Sequence, residues 1–188
     1  GKMSSGDGGN VTINGGEVYA NGSSRAAAIG GGSGDNRVES YAGSGGKLTI
    51  NDGYVVVKAG DNYSVGIGGG YGFGTAYGHG GEVTINGGML LIYKGRYSSA
   101  SIGSASAGDP GTLSINGGLV FYDNKCNLYS DSFDLTKDLK LEKGQTMTLN
   151  EGQTLRVNEG VTIINHGNVV NNGTILNLGV IEDVNKNI

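Results

Sequence analysis

The sequence has few of the residues that mark several protein classes. Among 188 residues there are one proline, one cysteine and no tryptophan. A lone cysteine, Cys126, excludes a disulfide framework within the chain, and the scarcity of proline excludes a collagen-like triple helix despite 39 glycines. No run approaches the roughly 20 apolar residues of a transmembrane helix, so we expect no membrane span.

Basic residues are also in the minority. Thirteen Lys and Arg face 17 Asp and Glu, which gives a net charge of -4. This balance argues against nucleic acid as a partner bound through a basic face. The chain starts Gly1-Lys2-Met3, without the charged and apolar regions of a signal peptide, so we interpret it as an excised or processed segment. Because the start of the chain has no polar cap like that at its C-terminal end, we expect further protein upstream.

A glycine-rich motif of the type GGxVTINGG dominates the first two thirds of the chain. Its asparagines recur about 30 to 37 residues apart, and a period of this size is typical of stacked repeats. The four copies occupy residues 8–16, 45–53, 80–88 and 111–118.

Each repeat carries three short segments with alternating apolar residues. In the second repeat these are Leu48/Ile50, Val55/Val57 and Val65/Ile67. Alternation of this kind predicts half-buried strands, and the glycines between them predict tight corners. We therefore predict an all-β fold, a single-stranded parallel β-helix (β-solenoid) with three short strands per coil.

The motif asparagines Asn14, Asn51, Asn86 and Asn116 should stack at one corner, with their side-chain amides hydrogen-bonded along the axis. From Leu139 onward the glycines follow one another more closely, as in shorter coils. We divide the chain into four glycine-rich long-loop coils (1–125), a transition segment (126–138) and compact coils with a polar C-terminal cap (139–188).

The GG-x-(V/L)-T-I-N-GG motifs and the A-x-I-GGG loops resemble the glycine-rich β-helix repeats of bacterial surface and secreted proteins. Over residues 6–124 the chain is similar to surface-displayed carbohydrate-binding β-helix domains, and over residues 139–183 to adhesin-type solenoids. The resemblance implies right-handed winding and an extracellular or cell-surface location.

One apolar stripe occupies positions that should face water. On the second strand of each repeat, the positions that alternate with the predicted core residues are occupied by Tyr19, Val56, Leu91 and Phe121. Such a stripe needs a cover. The candidates are a fold-back of residues 123–138, a protein partner (a second copy in a homo-oligomer, or an upstream domain), or a glycan.

Two loop features are candidate ligand sites. Tyr41, Tyr71, Phe73 and Tyr77 lie in glycine-rich loops, where aromatic rings can stack on sugar faces or fold down onto the protein. Asp35 and Asn36 partly match the calcium-binding nonapeptide G-G-x-G-x-D, but no tandem copy follows. We expect no cofactor, and calcium is the one ion for which a pattern exists.

Catalytic patterns are weak. The arginines and glutamates are scattered over different coil positions, whereas polysaccharide hydrolases use paired carboxylates. We therefore expect a non-catalytic structural or adhesive module that binds a surface glycan or a protein. The alternatives are a carbohydrate-binding domain and, last, a polysaccharide lyase or hydrolase.

Overall fold

The computed structural model describes residues 3–34, 40–72, 77–98, 100–105 and 107–184. Over these ranges the chain is all β, without a helix that could cross a bilayer. We number the strands in chain order. A small two-stranded sheet joins β1 (Met3–Ser4) to β5 (Ser40–Tyr41), and five larger sheets form the rest of the fold.

The four motif copies form one parallel sheet, here called the motif sheet. Its pairing places Thr12, Thr49, Thr84 and Ser114 side by side, so the repeats stack in register. Ile50 and Ile85 point into the core and are fully buried. The strands are β2 (Asn10–Ile13), β6 (Lys47–Ile50), β9 (Glu82–Ile85) and β12 (Thr112–Ile115).

The third segment of each repeat forms a glycine sheet. Gly30 and Gly68 have φ of 140° and 138°, and a Cβ on either would overlap the carbonyl oxygen of the glycine one repeat further on. Only glycine allows this close stacking of backbones. The strands are β4 (Ile29–Gly30), β8 (Ile67–Gly69) and β11 (Ile102–Ser104).

The second segments form the largest sheet, here called the shared sheet because it continues into the C-terminal half of the chain. Its strand order is β20-β17-β14-β13-β10-β7-β3. The strands are β3 (Glu17–Asn21), β7 (Tyr54–Lys58), β10 (Met89–Tyr93), β13 (Leu119–Tyr122), β14 (Lys125–Leu128), β17 (Thr146–Leu149) and β20 (Asn168–Asn171).

A hairpin reverses the chain in the middle of the shared sheet. β13 and β14 are antiparallel and are joined by Asp123 and Asn124, whose φ angles are 48° and 63°. Two successive residues with positive φ form the tight turn that matches the twist of a hairpin, and Asp and Asn tolerate this conformation. This pairing departs from the wholly parallel arrangement that the repeats predict.

After the hairpin, two further parallel sheets complete residues 125–183, here called the C-terminal half; residues 3–122 before the hairpin are called the N-terminal half. Strand β15 and most of β14 lie within residues 126–138, the predicted transition segment. One sheet contains β15 (Ser132–Leu135), β18 (Thr154–Val157) and β21 (Thr174–Asn177), and the other contains β16 (Leu139–Leu141), β19 (Thr162–Asn165) and β22 (Val180–Asp183).

Both faces of the shared sheet are buried at its strands β7, β10 and β13. Val55, Leu90 and Val120 point into the core of the N-terminal half, together with the motif and glycine sheets. Leu91 and Phe121 point to the other face, where they join the core of the C-terminal half. The shared sheet is therefore a wall between two cores.

The apolar stripe predicted from the sequence lies on this wall. Val56, Leu91 and Phe121 are 8%, 8% and 3% exposed because the C-terminal half packs over them. They are not a surface on which a glycan or a second protein could bind. Tyr19, at the outer strand β3, stays 60% exposed.

The asparagine ladder is confirmed. Asn51 Nδ2 donates to Asn14 Oδ1 at 2.7 Å, Asn86 donates to Asn51 at 2.8 Å, and Asn116 donates to Asn86 at 2.9 Å. The ladder runs along the corner after the motif sheet and ties the four repeats together.

Candidate functional site

A row of four tyrosines with two arginines lies along one side of the N-terminal half; we call it the tyrosine–arginine row. The ring centroids of Tyr77 and Tyr71 are 5.8 Å apart, those of Tyr71 and Tyr63 are 4.8 Å apart, and those of Tyr63 and Tyr97 are 5.5 Å apart. The guanidinium Cζ of Arg25 lies 5.9 Å from the ring centroid of Tyr71, and that of Arg96 lies 5.4 Å from that of Tyr97. Tyr63 and Tyr97 are 39% and 53% exposed.

Three stacked loops hold four members of this row, Arg25, Tyr63, Arg96 and Tyr97, whereas Tyr71 and Tyr77 follow strand β8 of the glycine sheet. The loops connect the shared sheet to the glycine sheet and span residues 22–28, 59–66 and 94–101. Arg25 N donates to Asn62 O in the middle loop, and Arg96 N donates to Asp61 O in the same loop. Because both outer loops are bonded to the middle one, side chains from three successive repeats meet.

Two members of the row have an unusual backbone. Arg25 and Tyr63 occupy equivalent positions, four residues before the strand isoleucines Ile29 and Ile67, and have φ of 69° and 49°. For a bulky L-residue the left-handed region is unfavourable, and such residues cluster at functional sites. A site without side-chain requirements would admit glycine there.

The rings face one another rather than solvent. Tyr63 and Tyr71 are stacked with 26° between their planes, and the tilt between Tyr63 and Tyr97 is 34°. The guanidinium groups of Arg25 and Arg96 lie over two of the rings. The row thus offers solvent its ring edges, together with its hydroxyl and guanidinium groups, more than free ring faces.

The three loops are basic in an acidic chain. They contain three basic residues, Arg25, Lys94 and Arg96, and one acidic residue, Asp61. Their net charge is therefore +2, whereas the net charge of the whole chain is -4. Lys58 lies directly before the middle loop. The next carboxylate along this side, on Asp123, accepts a hydrogen bond from the backbone N–H of Ser101 at 2.6 Å.

The structure brings together two of the aromatic residues expected from the sequence, Tyr71 and Tyr77. Tyr41 lies instead in β5 and is 47% exposed. Phe73 and the calcium candidates Asp35 and Asn36 lie outside the described residues.

Four residues of the row were not predicted from the sequence: Arg25, Tyr63, Arg96 and Tyr97. The only signal was their occurrence in the corresponding loop of successive repeats, between the second and third strands. The loops differ in sequence, so the stacking of their side chains becomes visible only in three dimensions.

A groove lies between the β15–β16 corner and the shared sheet. Three of the residues that line it are acidic: Glu17, Asp52 and Asp134. Each of these acids is engaged. Lys137 Nζ lies 2.5 Å from Glu17 Oε1 and lowers the pKa of that carboxyl, with help from the Tyr19 hydroxyl. Asp52 Oδ1 accepts the Gly53 N–H at 2.7 Å, and Arg156 Nε lies 3.4 Å from Asp134 Oδ1.

Two further side chains were candidates for chemistry, the thiol of Cys126 and the imidazole of His79. Cys126 is fully buried, and burial raises the pKa of its thiol to about 12, far from the thiolate that nucleophilic catalysis needs. His79 Nδ1 accepts a hydrogen bond from the Asp109 N–H at 3.1 Å.

Metal-binding clusters are missing from the described part of the chain: no three His, Cys, Asp or Glu side chains in it lie close enough to hold an ion. The comparisons with known proteins leave the family open. No protein-family model, no curated protein and no solved structure matches this chain.

Proposed function

We propose that this chain is a non-catalytic, structural and adhesive β-solenoid module of a secreted or cell-surface bacterial protein, and that it binds its partner through the tyrosine–arginine row. The observation that carries the proposal is this row of tyrosines and arginines, of which Tyr63, Arg96 and Tyr97 are exposed, held on repeats that stack in register. Tyr and Arg are the side chains most enriched in the energetically important centres of protein interfaces.

The strand topology supports the solenoid. Each of the first three repeats contributes one strand to the motif sheet, one to the shared sheet and one to the glycine sheet. After the hairpin, successive strands fill the shared sheet and the two C-terminal sheets in a repeating order of three. We take each set of three strands as one coil, wound right-handed as in the β-helix proteins that the motifs resemble.

Both halves wind with the same hand. At the hairpin the strand direction inverts, and the core passes to the opposite face of the shared sheet, while the strand order continues to advance along that sheet. Either inversion alone would change the hand of the coil. Together they preserve it.

Rigid support suits an adhesive site. Tyrosines bring a large contact area at a low cost in side-chain entropy, and a rigid element positions them better than a free loop does. The strained backbone at Arg25 and Tyr63 supports a functional role for these side chains, because a purely structural turn would favour glycine.

The test is retention of the purified chain on immobilised extracellular-matrix proteins and polysaccharides. We expect the double variant Tyr63→Asn/Tyr97→Ser to lose at least about tenfold in retention while it unfolds at nearly the same temperature, because Asn tolerates positive φ and both rings are partly exposed. The control is Leu178→Ser, an equally exposed apolar residue of the C-terminal half. Unchanged retention in the double variant would contradict the proposal.

A carbohydrate-binding domain is the second candidate. The 53% exposure of Tyr97 favours it, because an exposed tyrosine can pack against a sugar. Its mark would be saturable binding of a neutral oligosaccharide that Tyr97→Ser abolishes and that added calcium or chelator leaves unchanged.

A polysaccharide lyase or hydrolase is the least supported alternative. Glu17, Asp52 and Asp134 are the acids that line the groove at the β15–β16 corner, and all three already have partners. Release of unsaturated or reducing sugar ends from a polysaccharide by the purified chain would restore this alternative.

A further inference from the structure

We propose that the partner of the tyrosine–arginine row is an acidic, extended protein segment, with carboxylates spaced to meet Arg25 and Arg96. This inference rests on the proposed adhesive function and adds the chemistry of the ligand. Ring orientation, charge and spacing support it.

Ring orientation favours an anion over a neutral sugar. A sugar stacks on a free ring face, but the faces of Tyr63 and Tyr71 are turned to each other and guanidinium groups lie over Tyr71 and Tyr97. Aromatic rings carry partial positive charge at their edges and negative charge on their faces. The edges, hydroxyls and guanidinium groups that remain are all suited to carboxylate oxygens.

Charge points to the same ligand class. The three loops carry a net +2, with Arg25 half-buried and Arg96 exposed. A guanidinium group forms paired, planar hydrogen bonds with a carboxylate, which a lysine cannot reproduce. The remainder of this acidic chain would repel an acidic partner and so direct it to this side.

Spacing selects an extended peptide. Arg25 and Arg96 belong to loops two repeats apart, and strands stacked at about 4.8 Å put such loops about 10 Å apart along the axis. In a polyproline II segment, residues i and i+3 lie on the same side at about 9.3 Å. An acidic residue at every third position therefore matches the two arginines.

The experiment measures binding of the whole 188-residue chain to a peptide of about four Glu-Pro-Pro repeats, by calorimetry at low and at physiological salt. Lys-Pro-Pro repeats of equal length are the charge control. A peptide with the same composition but adjacent glutamates is the spacing control, and an oligogalacturonate represents an anionic glycan.

We expect saturable binding of the Glu-Pro-Pro peptide that weakens as salt rises, and no binding of the Lys-Pro-Pro peptide. Exposed ion pairs contribute little singly, so the double variant Arg25→Gln/Arg96→Gln should lose about five- to tenfold. Arg25→Lys/Arg96→Lys should recover only part of this loss. Lys143→Gln, in the C-terminal half, should bind like the unmodified chain.

Three results would overturn the inference: no saturable binding of the Glu-Pro-Pro peptide, equal binding by the glutamine variant, or tighter binding of oligogalacturonate. The retention assay separates the adhesive function from the chemistry of the partner. If retention depends on Tyr63 and Tyr97 but the acidic peptide fails, the partner chemistry is wrong and the adhesive function stands; if both fail, the function falls as well.

Discussion

Single residues of this chain adopt conformations and protonation states that only their neighbours explain. Arg25 and Tyr63 have positive φ without being glycine, and the backbone hydrogen bond from Arg25 N to Asn62 O holds the two loops together. Cys126 is an apolar core residue, not a reactive thiol. Both features lead to measurable effects.

The positive φ of Arg25 predicts that a glycine variant is more stable than an alanine variant at this position, the reverse of the usual order. Ordinarily alanine is more stabilising than glycine, but in the left-handed region a Cβ costs roughly 1 to 2 kcal/mol. We expect Arg25→Gly to be about 1 kcal/mol more stable than Arg25→Ala in denaturant unfolding. At the neighbouring Ser24, whose φ is not positive, alanine should be the more stable; an identical order at both sites would contradict the strain.

Burial of Cys126 predicts protection and an alkaline loss of stability. In the folded chain, burial raises the pKa of the Cys126 thiol from 9.0 to about 12. Between these two pH values only the thiol of the unfolded chain ionises, which favours unfolding. The free energy of unfolding should therefore be unaffected by this group below pH 9 and fall as the pH rises toward 12. Alkylation by iodoacetamide at pH 8 should need unfolding. Rapid alkylation of the folded chain would mean that Cys126 is accessible.

At the scale of elements, the repeats are what the sequence predicts best. The motif strands, their parity and the asparagine ladder follow from local patterns that recur four times, and each copy supports the others. In-register stacking then requires only that equivalent residues meet.

The hairpin and the tyrosine–arginine row could not be derived in this way. Asp123-Asn124 lacks the glycine of the strongest hairpin signals, and a series of parallel repeats favours another parallel strand. The partners of Tyr63 come from a loop of another repeat and from a residue after the glycine sheet, so their contact depends on loop stacking that no periodicity encodes.

The asparagine ladder predicts a graded response. Asn51 donates to Asn14 and accepts from Asn86, whereas Asn14 takes part in one ladder bond. At about 0.5 to 1.5 kcal/mol for each hydrogen bond, Asn51→Ala should cost about twice as much free energy of unfolding as Asn14→Ala. Equal costs in urea unfolding would show that the ladder bonds add no stability.

At the scale of the whole molecule, the two halves share one sheet and should unfold together. Phe121 belongs to β13 but packs in the core of the C-terminal half, so Phe121→Ala should cost about 3 to 5 kcal/mol of the free energy of unfolding.

All ten tyrosines lie at or before Tyr129, so tyrosine fluorescence reports mainly the unfolding of the N-terminal half and circular dichroism reports that of both halves. The two transitions should coincide, and separate midpoints would contradict a shared wall.

This arrangement also explains why we propose the row, and not the apolar stripe, as the binding surface. The stripe at Val56, Leu91 and Phe121 lies inside the molecule, and the loops on the other corner of the N-terminal half remain accessible. The C-terminal half therefore leaves the loops, and not the stripe, open to a partner, because it covers the shared sheet.

Hydrogen–deuterium exchange of the intact chain, with and without the Glu-Pro-Pro peptide, tests this claim most directly. We expect slow exchange throughout β7, β10 and β13 in both states, and protection by the peptide confined to residues 22–28, 59–66 and 94–101 and to Tyr71 and Tyr77. Fast exchange in β10 and β13, or protection by the peptide in the shared sheet instead of the loops, would contradict it.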